Sequence, residues 1–125
     1  MSDFPVFPGL AVFEKVKVAL ASGSPRRREL LTRLLPDANF VIISADLDET
    51  QLPGEDPQTY VRRLALSKAE VGGQKWLVAD PDLKARLIIA ADTSVVLNDV
   101  IYGKPGEPDQ AVTMLEELAG KTHQV

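Results

Sequence analysis

The stretch VKVALASGSPRRRELLTRLL, residues 16–35, passes from an apolar segment through a Gly/Ser turn into a leucine-rich segment. Over residues 16–21, valine and leucine alternate with lysine or alanine, which predicts a strand. Ser24 suits a helix N-cap and Pro25 the first helical position, and the leucines that follow supply an apolar helix face. This order of strand, turn and helix is typical of the start of an α/β fold.

Three consecutive arginines, Arg26, Arg27 and Arg28, lie at the start of the predicted helix. Arg26 and Arg27, in the first turn, each oppose the helix dipole by about 0.3–1 kcal/mol. A bound phosphate would reverse that sign, because free N–H groups and guanidinium groups both bind phosphate oxygens. The residues alone leave two interpretations open: a phosphate-binding loop, or solvated arginines that Glu29 partly offsets.

The rest of the chain predicts the order β-α-β-α-β-β-α, which indicates an α/β fold with a mixed twisted sheet and flanking helices. Trp76 is interpreted as a packing anchor rather than a base-stacking platform. Residues 121–125 are typical of the start of a further strand, so we expect the C-terminal part of the fold to be missing. The other predicted elements are strands at 40–44 and 86–91, a helix over 57–71 that Gly72 and Gly73 stop, a hairpin around Asn98-Asp99, and a helix over 111–120.

Composition limits the class of protein. A length of 125 residues fits one domain, taken as 1–125 with an N-terminal extension over 1–14. The 14 basic and 18 acidic residues disfavour nucleic-acid binding. The absence of cysteine and the single histidine, His123, exclude a thiolate nucleophile and a multi-histidine metal site. Neither a signal peptide nor a run of about 18 apolar residues is found, so we expect a cytoplasmic protein without membrane contact.

Several acids and one lysine are candidates for a site. Asp92 ends an apolar strand, where a carboxylate needs a partner. Glu49 follows another strand, and carboxylates at strand ends suit Mg²⁺ or Mn²⁺ held together with phosphates. For four other acids of this loop, solvation and capping are the simpler interpretation: Asp46, Asp48, Glu55 and Asp56. Lys68 interrupts an apolar helix stripe, which either snorkelling of its stem or a phosphate site would explain.

Three segments occur in order and nearly without gaps: LASGSPRRRELL (20–31), DPQTYVRRLALSKA (56–69) and the whole of 88–125. Together they closely resemble the motifs of the Maf family of nucleoside triphosphate pyrophosphatases. The resemblance implies a mixed α/β fold related to the inosine triphosphate pyrophosphatases, with a cleft between two lobes. It also implies metal-dependent hydrolysis of a nucleoside triphosphate to the monophosphate and pyrophosphate. The Asp-Thr pair at 92–93 resembles the branch that prefers dTTP and UTP, including modified pyrimidines.

The resemblance implies roles for nine residues of this chain. The phosphate-binding loop is matched by Ser22, Ser24, Arg26 and Arg27, and the cleft lysines are matched by Lys68 and Lys104. The proton acceptor is matched by Asp92, and a motif carboxylate is matched by Glu49. A position tied to substrate choice is matched by Thr93. Arg26 also matches a position tied to substrate choice.

The family pattern further suggests a cofactor, partners and alternatives. Mg²⁺ or Mn²⁺ would be bound by Glu49 and Asp92 with phosphate oxygens, and the partner would be a nucleoside triphosphate, with a homodimer left open. Ala90 stands where the family has glycine, and family members continue well past Val125. The alternatives are a nucleotide-binding module without turnover, linked to cell division, and an inactive fragment of the enzyme.

Overall fold

The computed structural model describes residues 16–36 and 39–125 and has the predicted order of elements, except that three strands rather than two lie between the second and third helices. The predicted extension over 1–14 lies outside the described residues. The α/β fold class is confirmed, with a parallel sheet and flanking helices. The strands are β1 (Lys17–Leu20), β2 (Phe40–Ile42), β3 (Arg86–Ile89), β4 (Val95–Leu97) and β5 (Val100–Tyr102), and the helices are α1 (Pro25–Leu34), α2 (Pro57–Ala79) and α3 (Pro108–Leu118).

The described chain forms two compact units. Unit 1 contains the described residues up to Asp48 together with Ala65–Ala91. Unit 2 contains Glu49–Leu64 and Asp92–Val125. The parallel sheet therefore belongs to unit 1, and the pair β4 and β5 belongs to unit 2.

Unit 1 is built on a three-stranded parallel sheet in the order β2-β1-β3. The central strand β1 is paired on both edges, with Leu20 opposite Ile42 on one side and Ile89 on the other. A continuous apolar run is typical of such a buried central strand. The residues of β1 and its end that are at most 2% exposed are Val18, Ala19, Leu20 and Ala21.

The helix α2 does not stop at Gly72, and the prediction that the glycine pair ends it is wrong. A Cβ on Gly72 would lie 2.7 Å from the Ala21 Cβ and 3.0 Å from the Ile88 Cδ1. Glycine therefore allows the helix to approach the sheet closely rather than ending it. Trp76, one turn later, is 2% exposed and lies beside the Arg86 guanidinium, 5.3 Å from ring centroid to Cζ. Its interpretation as a packing anchor is confirmed.

Unit 2 contains the predicted hairpin, in which β4 and β5 pair antiparallel. Its turn residues Asn98 and Asp99 have φ values of 51° and 62°, as a type I′ turn requires. The expected strand start over 121–125 is seen as one bridge, in which Gln124 and Val96 exchange two backbone hydrogen bonds of 2.8 Å. Within the described part of the chain, these strands form a sheet separate from the parallel one.

The helix α3 begins at Pro108, three residues earlier than predicted, and is followed by Gly120 at a φ of 70°. Searched over 16–36 and 39–125, the helices include none with the length and apolar character needed to cross a membrane.

Candidate functional site

The turn after β1 is held by two serine side chains. The Ser22 hydroxyl, in a residue 7% exposed, accepts a hydrogen bond from the Ser24 N–H at 3.0 Å. The Ser24 hydroxyl accepts one from the Arg27 N–H at 3.3 Å and so caps α1, as predicted. The two serines therefore fix the path of the chain between the strand and the helix.

The arginines of this turn differ in position. Arg27 is half-buried, whereas Arg26 and Arg28 are exposed. The family motif is matched by Arg26 and Arg27 but not by Arg28, for which the sequence predicts no role. Arg28 nevertheless lies beside a cavity of about 80 Å³, which is lined by Ser22, Gly23, Ser24, Pro25, Arg28 and Ile42.

Lys68 lies at the same end of unit 1 as this turn. Gly72 of α2 contacts Ala21 at the carboxyl end of β1, and Trp76 reaches Arg86 at the start of β3. The helix therefore runs antiparallel to the strands, so the half-buried Lys68, about 6 Å before Gly72, lies toward their carboxyl ends. Unit 1 thus brings Lys68 to the same edge as the serines and arginines.

The acidic loop of unit 2, residues 49–56, is attached to the start of α2. Glu49 has an exposed side chain, and its carbonyl oxygen accepts a hydrogen bond from the Tyr60 hydroxyl at 2.7 Å. The hydrogen bonds from Arg63 hold the pKa of Glu55 below its ordinary value. The Thr59 N–H at 2.8 Å likewise lowers the pKa of Asp56, which caps the helix. The capping interpretation is confirmed for Asp56, whereas Glu55 is not solvated, because its side chain is 5% exposed and paired with Arg63.

Asp92 and Thr93 line a pocket of about 610 Å³ in unit 2. Asp92 is half-buried and Thr93 is exposed. Among the described residues that line this pocket there is no lysine or arginine, and its volume is within the range of small-molecule sites. Its other lining residues, none of which the sequence pattern identified, are Pro57, Gln58, Val61, Ser94, Val96, Gln124 and Val125.

The nine predicted residues are divided between the two units. Lys104 is exposed in the segment after β5 and does not line the pocket that contains Asp92. Unit 1 holds Ser22, Ser24, Arg26, Arg27 and Lys68, and unit 2 holds Glu49, Asp92, Thr93 and Lys104.

Two of the acids of unit 2, Glu49 and Asp92, are predicted metal ligands and are of the right chemical kind for a hard divalent cation. Among the described residues, no three His, Cys, Asp or Glu side chains are grouped so that they could hold a metal. Mg²⁺ in nucleotide sites is usually bound by one or two carboxylates together with substrate phosphates and water. The donor set offered by Glu49 and Asp92 fits that pattern.

Comparison with known proteins places these residues in a family context. A family model described as Maf-like protein matches residues 17–125. Two proteins named dTTP/UTP pyrophosphatase are similar to this chain over 106 residues. The one from Xanthomonas axonopodis pv. citri is 46% identical to it, and the one from Pseudoalteromonas atlantica is 47% identical. Each match covers 85% of this chain and 53% of the relative. A third, from Nitratidesulfovibrio vulgaris, is 45% identical over 109 residues, 86% of this chain and 48% of the relative. The chain spans about half the length of the curated relatives it matches.

Proposed function

The chain belongs to the Maf-like protein family, and from this we propose that it hydrolyses dTTP or UTP to the monophosphate and pyrophosphate. The relatives that support this proposal carry the name dTTP/UTP pyrophosphatase at 45–47% identity. The observation that carries it is that the family match, residues 17–125, contains all nine predicted site residues.

In this proposal, the triphosphate is bound by the turn between β1 and α1. The serine-held turn fixes the start of α1, and the helix dipole there favours an anion. Arg26, Arg27 and Lys68 supply positive charge at the same end of unit 1. Cations fixed in advance stabilise the charge that develops on phosphates during transfer.

Asp92 acts as the general base. Its carboxylate takes a proton from water as the water oxygen attacks the α-phosphorus, and the bond from that phosphorus to the pyrophosphate oxygen breaks. Glu49 and Asp92 would also hold a divalent cation, Mg²⁺ or Mn²⁺, which neutralises phosphate charge and acidifies water. Lys104 adds positive charge that stabilises the departing pyrophosphate.

The pocket beside Asp92 is proposed to receive the uncharged part of the nucleotide. Its described lining combines aliphatic side chains with hydroxyl and amide groups and has no cation, so it favours a base or sugar over a phosphate. Thr93, whose position is tied to substrate choice in the family, lines this pocket.

The test is pyrophosphate release from dTTP, UTP, CTP and ATP with Mg²⁺ or Mn²⁺. We expect Asp92→Asn to lower the rate by about 100-fold or more, because the asparagine amide cannot accept the proton. Asp99→Asn is the matched control, since it removes one carboxylate from the hairpin turn, where asparagine tolerates the positive φ of 62°. Equal rates for the Asp92→Asn and Asp99→Asn variants would refute the role of Asp92.

A second proposal is that this chain binds nucleotide without turnover. The observation that favours it is that the described lining of the pocket beside Asp92 has no lysine or arginine to stabilise charge on a transferring phosphate. Calorimetric binding of dTTP without pyrophosphate release would support it, whereas turnover by the 125-residue chain would reject it.

A further inference from the structure

Two side chains at the start of α2 hold successive carbonyl groups of the acidic loop. The Tyr60 hydroxyl donates to the Glu49 carbonyl oxygen at 2.7 Å. The Arg63 Nη2 donates to the Thr50 carbonyl oxygen at 3.0 Å and also to the Glu55 Oε1 at 2.9 Å. The main chain is thereby hydrogen-bonded to one helix at both Glu49 and Thr50.

The far end of the loop is held by the same arginine. The Arg63 Nε donates to the Glu55 Oε2 at 2.6 Å, and this carboxylate side chain is only 5% exposed. Its other oxygen also accepts the Leu52 N–H at 3.2 Å, and the Gln51 amide donates to the Glu55 carbonyl oxygen at 2.7 Å. A carboxylate buried this far depends on its charged partner, so the ion pair holds the loop in one arrangement.

We propose that Tyr60 and Arg63 are positioning residues, which fix the backbone at Glu49 so that its carboxylate is presented to the divalent cation. This inference rests on the proposed function, in which Glu49 helps to hold that cation. Substituting a residue that orients a metal ligand commonly lowers the metal affinity by about 10–100-fold. Tyr60 and Arg63 hold the main chain of the loop and leave the Glu49 carboxylate on an exposed residue.

The alternative is that these bonds only stabilise unit 2. A control for this alternative is available in the same unit, because the Tyr102 hydroxyl donates to the Glu117 Oε2, also at 2.7 Å. Tyr60→Phe and Tyr102→Phe each remove one hydroxyl and one hydrogen bond of equal length. Only the first removes a bond to the Glu49 carbonyl.

The experiment compares both variants with the unsubstituted protein by two measurements. Amide hydrogen exchange over residues 49–52 reports whether the loop is loosened. Electron paramagnetic resonance of Mn²⁺, titrated with a non-hydrolysable dTTP analogue present, reports the metal affinity. We expect Tyr60→Phe to speed the exchange and to weaken Mn²⁺ binding by about tenfold, with Tyr102→Phe unchanged in both. Arg63→Lys keeps the positive charge but loses the paired N–H donors of the guanidinium group. It should therefore also speed the exchange and weaken Mn²⁺ binding.

Unchanged exchange over residues 49–52 in Tyr60→Phe would overturn the inference, and so would faster exchange with unaltered Mn²⁺ affinity. Glu49→Gln separates this failure from failure of the proposed function. If Glu49→Gln weakens Mn²⁺ binding but Tyr60→Phe does not, the metal role of Glu49 stands and the positioning role is wrong. If Glu49→Gln binds Mn²⁺ as the unsubstituted protein does, both are wrong.

Discussion

Gly72 is the residue whose missing side chain allows α2 to pack on the parallel sheet. A Cβ there would lie 2.7 Å from the Ala21 Cβ, which is attached directly to the backbone and cannot turn away. We expect Gly72→Ala to lower the free energy of unfolding by about 1–3 kcal/mol through overpacking. Urea denaturation of the variant and the unsubstituted protein measures the difference.

Gly73 provides the control for this prediction, since it lies in the same helix and a Cβ there would meet nothing within 4 Å. Gly73→Ala should raise the free energy of unfolding by about 0.5–1 kcal/mol, because alanine is the better helix former. If both substitutions stabilise the protein equally, helix propensity alone governs these positions and the close approach at Gly72 is unimportant.

The roles of single residues were predictable from sequence where chain neighbours decide them. Ser24 precedes a proline and an apolar helix face, and it caps the helix as predicted, by accepting a hydrogen bond from the Arg27 N–H. Gly72 was not predictable in this way, because its role depends on Ala21, which is far away in the chain. The contact of Tyr60 with Glu49 likewise depends on how the loop folds back, which residue spacing does not encode.

Among the elements, the hairpin of β4 and β5 depends on a turn in which two non-glycine residues have positive φ. Asp99 has a φ of 62°, a conformation that a β-branched residue adopts at a cost of about 1–2 kcal/mol. Asp99→Val should therefore lower the free energy of unfolding by about that amount. Asp99→Gly should raise it by about 0.5–1 kcal/mol, because Asn-Gly is the preferred type I′ pair.

Thermal or urea denaturation of the two Asp99 variants checks this prediction, and the opposite signs make each the control for the other. If the valine and glycine variants are equally stable, the turn does not hold the φ described and β4 and β5 are joined differently. The hairpin itself was predictable because its turn and its apolar flanks are adjacent in the chain. The full length of α2 was not predictable, because the burial of Trp76 outweighs the low helix propensity of two glycines, about 1 kcal/mol each.

For the whole molecule, the composition and the order of elements were sufficient to predict an α/β fold. The pocket that contains Asp92 was not predictable as a set, because it joins the start of α2 to Gln124 through the pairing of Gln124 with Val96. Such a pairing between distant segments follows from the fold and not from local patterns.

Several aliphatic side chains lie on the surface of the described chain. In α2, Leu66 is 64% exposed, Leu77 is 55% exposed and Val78 is 83% exposed. In α3, Leu115 is 68% exposed. Exposed apolar surface of this kind favours association, so we expect the 125-residue chain to form oligomers at rising concentration, a homodimer among them.

The outer face of α2 offers a direct test of this association. Val78→Glu adds one negative charge and removes an exposed apolar side chain, whose burial is worth about 1.5–3 kcal/mol. Gln74→Glu adds the same charge one turn earlier on the same face and removes no apolar surface. Sedimentation velocity over a concentration series should show that Val78→Glu weakens association by about tenfold or more, while Gln74→Glu has little effect. If both variants weaken association equally, charge repulsion is the cause, and if neither does, this face of α2 takes no part in the contact.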